Sequence, residues 1–343
     1  AYSTIPKGSL YMNTKLYTGD ATTSHAITGV NFQPDMTWIK SRTSADTHGL
    51  FDAVRGATKR IIPNDNSVEG TQSNGLTSFD SNGFTLGDAG LVNQNYNYAS
   101  WNWKANGAGS ANTDGSINTT ATSVNTTSGL SISKYTGTGS AGATVGHGLG
   151  VAPKMIIAKG LTYADVWIVG GDNLGGWNKE MYLNTTNAVA TNNNAFNGVA
   201  PTSSVFTLGS GNGTNKSGDT YIAYCFAEKQ GYSKFGSYTG NGNADGTFVY
   251  TGFKPSWIMI KRTDNVNQWI MLNNKMSLYN NNTGDELYAD SSAVQNSFVD
   301  GGADFLSNGF KLRGTNGSVN LNGGSYIYMA FAENPFVATS GTT

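Results

Sequence analysis

The three histidines are the first place to look for chemistry, because imidazole titrates near neutral pH and is the commonest metal ligand. His25, His48 and His147 stand in three unrelated contexts, with no HxH or HxxxH spacing and no cysteine cluster nearby. That pattern argues against a zinc site. His147 lies in the turn-like "GHGLG" and is expected to be solvated or bonded to backbone. A nucleophilic serine needs an elbow of the GxSxG kind, and none is present. "GNGTNKS" (211–217) has the outline of a phosphate loop, but Asn215 holds the place of the second glycine. The strand context is also wrong, so a phosphate loop is rejected.

Glycoside hydrolysis needs two carboxylates at a set separation in a cleft. Asp80, Asp88, Asp219, Asp285, Glu286, Asp300 and Asp304 qualify only as acids, since none recurs at an equivalent place throughout the repeat described next. Loop acids in "TGNGNADG" (239–246) and "NNTGDE" (281–286) could gather oxygens around Ca²⁺, but the EF-hand order is missing. The aromatics near expected loop tips, Tyr96, Tyr98, Trp177 and Tyr279, are the candidates for stacking on sugar rings or for subunit contacts. No catalytic residue, metal ligand or cofactor site is assigned.

The elements that must position these residues come in three copies. "KLYTGD" (15–20), "GVNFQPDMTWIKSR" (29–42), "SFDSNGFTLG" (78–87) and "NYNYASWNWKA" (95–105) form the first. "SKYTGTG" (133–139), "GHGLGVAPKMIIAKG" (146–160), "SSVFTLG" (203–209) and "SGDTYIAYCFAEK" (217–229) form the second. "GSYTGNG" (236–242), "YTGFKPSWIMIKRT" (250–263), "FLSNGFKLRG" (305–314) and "GGSYIYMAFAEN" (323–334) form the third. From the opening Tyr to the Pro is 17, 18 and 17 residues, and from that Pro to Phe84, Phe206 and Phe310 is 50, 53 and 55. Four ordered blocks with such small drift define a threefold internal repeat, each copy the size of a domain.

The blocks read as strands. Pro34, Pro153 and Pro255 each precede an apolar run and are expected to open a strand facing inward. "TYIAYCFAE" puts Ile222, Tyr224 and Phe226 on one face and Tyr221, Ala223 and Cys225 on the other. Asn-Gly pairs supply tight hairpin turns, and nothing of helical period reaches ten residues. Three tandem antiparallel, all-β sandwich domains of jelly-roll-like form are therefore predicted. Residues 1–14 read as an anchoring segment, 15–105, 131–229 and 230–343 as the sandwiches, and 106–130 as a flexible Gly/Asn/Thr/Ser-rich linker. Gly83 and Gly309 are expected where a Cβ would clash, and the three phenylalanines as core plugs.

Composition bounds the function. Only 13% of residues are charged and the net charge is −1, which excludes the basic surface a nucleic-acid binder needs. No run of 18 apolar residues offers a membrane span, Cys225 has no partner for an intrachain disulfide, and "AYSTIPKGSL" lacks a signal-peptide layout.

The run "FQPDMTWIKSR…HGLFDAVRGATKRII…GLTSFDSNGFTLG…NYASWNWKA", with the opening "YSTIPKGSLYMNTKLYTG", resembles a repeat domain of proteins from marine tailed bacteriophages, cyanophages in particular. The resemblance is strong over residues 1–105; the later repeats share the frame without the segment Asp52 to Lys59. It implies a virion structural protein, a tail fibre, spike or capsid decoration, made in the host cytoplasm and displayed on the particle surface. Implied partners are other virion proteins and host-surface glycan; no catalytic residues carry over. A symmetric homo-oligomer, with a trimer favoured, is expected from low-charge, aromatic-rich surfaces. A carbohydrate-active tailspike depolymerase and a secreted lectin are the alternatives.

Overall fold

The computed structural model describes residues 3, 5, 7–276, 284–298 and 302–335. It is almost entirely β, and one sheet recurs three times with the same strand order. In the first repeat the order is Met12–Thr18, Asn97–Trp103, Met36–Ser41, Gly49–Asp52. In the second it runs Leu130–Thr136, Thr220–Phe226, Met155–Gly160, Ile168–Gly171. In the third it runs Ser233–Thr239, Ser325–Pro335, Phe253–Arg262, Trp269–Asn273. A small second sheet lies over each, pairing His25–Thr28 with Gly83–Leu86, Thr144–Gly146 with Val205–Thr207, and Phe248–Tyr250 with Gly309–Leu312. Each repeat is thus an antiparallel sandwich. Among the described residues no helix is long and apolar enough to cross a membrane.

The recurring phenylalanines are the plugs of these sandwiches. Phe84 lies opposite Ile27, Phe206 opposite Val145 and Phe310 opposite Val249, and all three are fully buried. At Gly83, where φ is +148°, a Cβ would stand 1.9 Å from the Ile27 carbonyl oxygen, so only glycine lets the two backbones approach. Gly309 meets Val249 in the same way at 2.1 Å. Pro34 and Pro153 stand two residues before their strands. Pro255 instead falls inside Phe253–Arg262, at a break in register, which is where a strand tolerates a residue with no N–H to donate.

Each main sheet is apolar on both faces, which the alternation of the closing strands dictates. Tyr221, Ala223 and Cys225 face the second repeat's own core, whereas Ile222, Tyr224 and Phe226 enter a core common to all three repeats. Met36, Trp38 and Trp101 join that common core from the first repeat, and Trp257, Met259 and Phe331 from the third. Trp103 crosses Trp257 edge to face at 5.6 Å and 89°. The centre is filled rather than hollow: a wholly apolar void of about 20 Å³ remains among Met36, Trp38, Ile157, Trp167 and Trp257. The three repeats therefore differ from the expected string of separate modules, because their largest hydrophobic cluster belongs to none of them alone.

Hydrogen bonds close the arrangement into a ring. Trp167 Nε1 donates to the carbonyls of Ile62 and Asp65 in the first repeat at 2.9 and 3.1 Å. Trp269 Nε1 donates to Tyr182 in the second at 2.9 Å. His48, at the matching place in the first repeat, meets the Ser291 carbonyl of the third at 2.9 Å. Because Trp38 Nε1 donates to His48 Nδ1 at 2.8 Å, the proton sits on Nε2 and that bond also runs outward. Backbone bonds repeat the cycle: Glu69 N–H to Leu161, Val189 N–H to Thr263 and Gln295 N–H to Arg42, at 2.9, 2.9 and 2.8 Å.

Two sequence expectations are corrected. The segment 106–130 is built into the fold, with a strand at Ala121–Asn125 paired to Leu130–Thr136. Its threonines and serines satisfy one another, Thr119 with Thr122 at 2.9 Å and Thr122 with Ser133 at 3.2 Å. Hydroxyl-rich composition reads as linker but also suits a strand whose partners are hydroxyls. Residues 1–14, expected as an anchor outside the first repeat, place Ile5 and Met12 in the common core.

The segment Asp52 to Lys59, special to the first repeat, forms a buried charged knot against the second. Arg55 Nε donates to Asp52 Oδ2 at 2.5 Å, and the Tyr224 hydroxyl donates to the same oxygen at 2.6 Å. The guanidinium also reaches the Leu50 and Lys59 carbonyls, each at 3.0 Å. Removing one partner of such a pair costs roughly 3–5 kcal/mol, because the other charge stays buried. Arg55→Ala is therefore expected to lower the urea midpoint of the entire chain in one transition. A calorimetric trace resolving into separate repeat transitions, with only the first shifted, would show that the common core does not couple the repeats.

Candidate functional site

The aromatics singled out from sequence divide sharply. Tyr98 is fully buried, donating to the Gly90 carbonyl at 2.7 Å and accepting from the Gln94 N–H at 2.9 Å. It stacks on Tyr17 at 5.1 Å, and the same pair recurs as Tyr135–Tyr221 at 5.4 Å and Tyr238–Tyr326 at 4.9 Å. Trp177 is buried too, its Nε1 donating to Asp172 at 2.6 Å. Neither ring faces a sugar or a partner, because both are committed to their repeat's own core. Tyr96 is exposed, and Tyr279 lies outside the described residues.

Asn215, which spoiled the phosphate-loop pattern, has a structural task. Its side chain accepts from the Thr138 N–H at 2.8 Å and donates to the Gly209 and Ser140 carbonyls at 2.7 and 2.9 Å. Asn93 and Asn320 make the matching bonds in the other repeats. His147 is buried and bonded to backbone, through the Thr202 carbonyl at 3.2 Å and the Leu149 N–H at 3.2 Å. Burial holds the His48 imidazole well down, at about 3, so it stays neutral. Cys225 is buried and its thiol is pushed up by burial, which removes thiolate chemistry.

Most of the candidate acids are spent on local bonds. Asp80 holds Ser78 and Thr85 at 2.9 and 2.7 Å, Asp88 holds Asn74 at 2.7 Å, and Asp219 holds Thr162 and Lys216, each at 2.9 Å. Asp285 takes Ser297 at 3.0 Å, and Asp304 pairs with Arg313. Asp245, in the loop considered for Ca²⁺, is claimed by Lys311 at 2.7 Å. Asp300 lies outside the described residues.

Glu286 is different, and so is an acid the sequence reasoning passed over, Glu180. They occupy matching positions, in "KEMY" and "DELY". Glu180 accepts from the Tyr182 hydroxyl and from Asn192, each at 2.8 Å; Glu286 accepts from Tyr288 and, at 3.3 Å, from Asn296. Burial raises the Glu286 carboxyl above its usual range, and among the described residues its Oε2 has no partner. In the first repeat Arg60 stands here instead, donating to Gln72 at 3.1 Å. That one exception hid the recurrence.

Glu180 opens onto a polar groove of about 210 Å³, also lined by Asp165, Tyr182, Asn192, Asn194 and Asn212. This is room for roughly seven waters. Two carboxylates and three amides offer acceptors and donors to adjacent hydroxyls, the hydrogen-bonding set a sugar ring requires. A second feature lies on the third repeat. Phe248 and Tyr250 are exposed by 44% and 63%, two residues apart on one strand, so their rings share a face about 7 Å apart. Strand alternation would have found them in "TFVYTG"; the search for loop tips did not.

A family model described as a domain of unknown function (DUF7483) matches residues 7–335. No curated protein matches the chain, and no solved structure matches it.

One buried group recurs in all three repeats with a measurable signature. Lys40, Lys159 and Lys261 follow the prolines at the same distance and are fully buried. Their ammonium groups donate to backbone carbonyls: Lys159 to Asn66 at 3.1 Å and Lys261 to Thr186 at 3.2 Å across repeats, and Lys40 to Ser44 at 3.0 Å. Burial lowers each to about 8. The unfolded chain then binds more protons than the folded one between pH 8 and 10.5, so these groups add stability as pH rises through that window and lose it as pH falls through 8. Above pH 10 the buried tyrosines act oppositely, since Tyr98 and Tyr221 are held at about 12 and ionise first in the unfolded chain. The urea midpoint is expected to rise from pH 7.5 to 9.5, and to rise less in Lys159→Met. Equal slopes for the two proteins would refute the assignment.

Proposed function

The chain belongs to the DUF7483 family, and from that premise we propose that it is a non-enzymatic bacteriophage virion protein that adheres to host-surface glycan. It would sit on the particle surface as a tail fibre, spike or capsid decoration, docked to other virion proteins. The observation that carries the adhesive part is the groove at Glu180 and Asp165, whose carboxylates and amides suit sugar hydroxyls. The exposed pair Phe248 and Tyr250 adds apolar faces on which sugar rings stack. The virion setting rests on the resemblance of "FQPDMTWIKSR…NYASWNWKA" to marine phage repeat domains. A symmetric homo-oligomer, with a trimer favoured, remains part of this reading, as an appendage commonly stands on a symmetric mount.

One observation favours the depolymerase alternative: two carboxylates, Asp165 and Glu180, line the same groove. Both readings meet in one set of assays. Immunogold labelling of intact particles is expected to decorate the surface, and unlabelled particles would remove the virion setting. Purified protein is expected to retain host polysaccharide without releasing reducing ends, and Tyr250→Ala and Glu180→Gln each to weaken retention about tenfold. Reducing-sugar release that disappears in Glu180→Gln would make the protein a depolymerase instead.

A further inference from the structure

The threefold frame supplies two internal controls for every position, and one site in the first repeat departs from both without being repaired. A groove of about 430 Å³ runs beside the strand Met12–Thr18, lined by Lys7, Ser9, Asn13, Thr14, Lys15 and Gly29, with Lys275 of the third repeat also in its wall. Among the described residues no aspartate or glutamate lines it. Lys7 and Lys15 make no ion pair among the described residues, so their charge is available to a ligand.

Two hydroxyls beside this groove are sealed from solvent. Ser9 and Thr14 are 4% and 6% exposed, and among the described residues neither Oγ nor Oγ1 has a hydrogen-bond partner. Buried polar groups are nearly always bonded, so each such exception needs a cause. Register makes Thr14 the exception twice over. It lies opposite Trp101, as Ile132 lies opposite Tyr224 and Phe235 opposite Met329. Ile132 and Phe235 are ordinary members of the common core. Lys15, one residue on, stands where the other repeats carry Ser133 and Gly236. The strand is also open on one side. Met12–Thr18 ends its sheet, as Ser233–Thr239 does in the third repeat, whereas Leu130–Thr136 in the second is covered by Ala121–Asn125.

We propose that this groove binds the anionic group, a carboxylate or sulfate ester, of an acidic polysaccharide. Lys7 and Lys15 take the charge, and Asn13, on the same strand face as Lys15, takes a neutral oxygen beside it. A nucleic acid fits less well, because it would need a stripe of cations matched to successive phosphates, whereas this is one concave cluster on a chain of net charge −1. The inference deepens the glycan reading and rests on it, at a site remote in sequence from Glu180 and Tyr250.

The test uses the full chain with chondroitin sulfate, neutral dextran, inorganic sulfate and duplex DNA, read by calorimetry at two salt concentrations. Chondroitin sulfate is expected to bind, more weakly at the higher salt, with Lys15→Gln and Lys7→Gln each lowering affinity about tenfold. Thr14→Val, which restores the apolar choice of the other repeats on the core face of the strand, is expected to raise the urea midpoint without weakening binding. Unchanged affinity in both lysine variants overturns the proposal. So does dextran, inorganic sulfate or DNA binding as tightly as chondroitin sulfate, and so does no binding at all. Particle labelling reads the virion setting separately. Retention of neutral host glycan, lost in Tyr250→Ala but intact in Lys15→Gln, would leave adhesion standing while this pocket fails.

Discussion

Every main sheet in this protein is apolar on both faces, and that constraint organises everything else. One face is covered by the repeat's own small sheet, around Phe84, Phe206 or Phe310. The other face has no cover within the repeat, so Trp101, Tyr224 and Met329 must find it in the neighbours. A head-to-tail contact between like units either runs on or closes, and here it closes after three. The cyclic bonds from Trp167, Trp269 and His48 fix the hand and spacing of that closure. Each buries a ring N–H that would otherwise be unpaired inside the core, so geometry and polar satisfaction are settled together at these three rings, while Nε1 of Trp101, Trp103 and Trp257 stays unpaired among the described residues.

The first repeat meets the same demand with different residues. Where the others set Trp167 beside Ile157 and Trp269 beside Met259, it sets His48 beside Trp38. Bulk moves from one strand to the next while the donor to the neighbouring repeat is kept. That is a volume-conserving exchange, the kind a close-packed interior tolerates. Asp52 and Arg55 are a second local solution, with each charge answered by the other, by Tyr224 or by backbone carbonyls.

How far the sequence disclosed this depends on where each interaction keeps its signature. Strand faces were legible, because alternation in "TYIAYCFAE" assigns Tyr224 and Tyr221 to opposite sides by period alone. The clash at Gly83 was legible from its recurrence at Gly309. Closure was not, since the acceptors are backbone carbonyls of Ile62, Tyr182 and Ser291, which any residue supplies. The strand Ala121–Asn125 was hidden because serine and threonine serve linkers and hydroxyl-paired strands alike. Tyr98 and Trp177 misled for a related reason: residue type near a turn does not say whether the ring points in or out. At the candidate site Glu180 was readable by comparison with Glu286, and only Arg60 broke the pattern.

Internal symmetry changes what a departure from pattern means. In a single-copy domain, an odd residue in a core can be a compromise whose alternatives are unknown. Here the demand at each position is displayed by two other copies, so departures sort themselves by whether the structure answers them. His48 is answered by Trp38 and Ser291, and Asp52 by Arg55 and Tyr224; Arg60 is answered in part, Gln72 taking one nitrogen while Nε stays unpaired among the described residues. Those are alternative ways of building one frame. Thr14 is not answered among the described residues, although an apolar residue fits at the matching place twice, in Ile132 and Phe235. Glu286 Oε2 is likewise unanswered, whereas Glu180 opens directly onto its groove. Unpaired polar atoms cost stability, and a frame that already holds an apolar alternative gains nothing structural by keeping them.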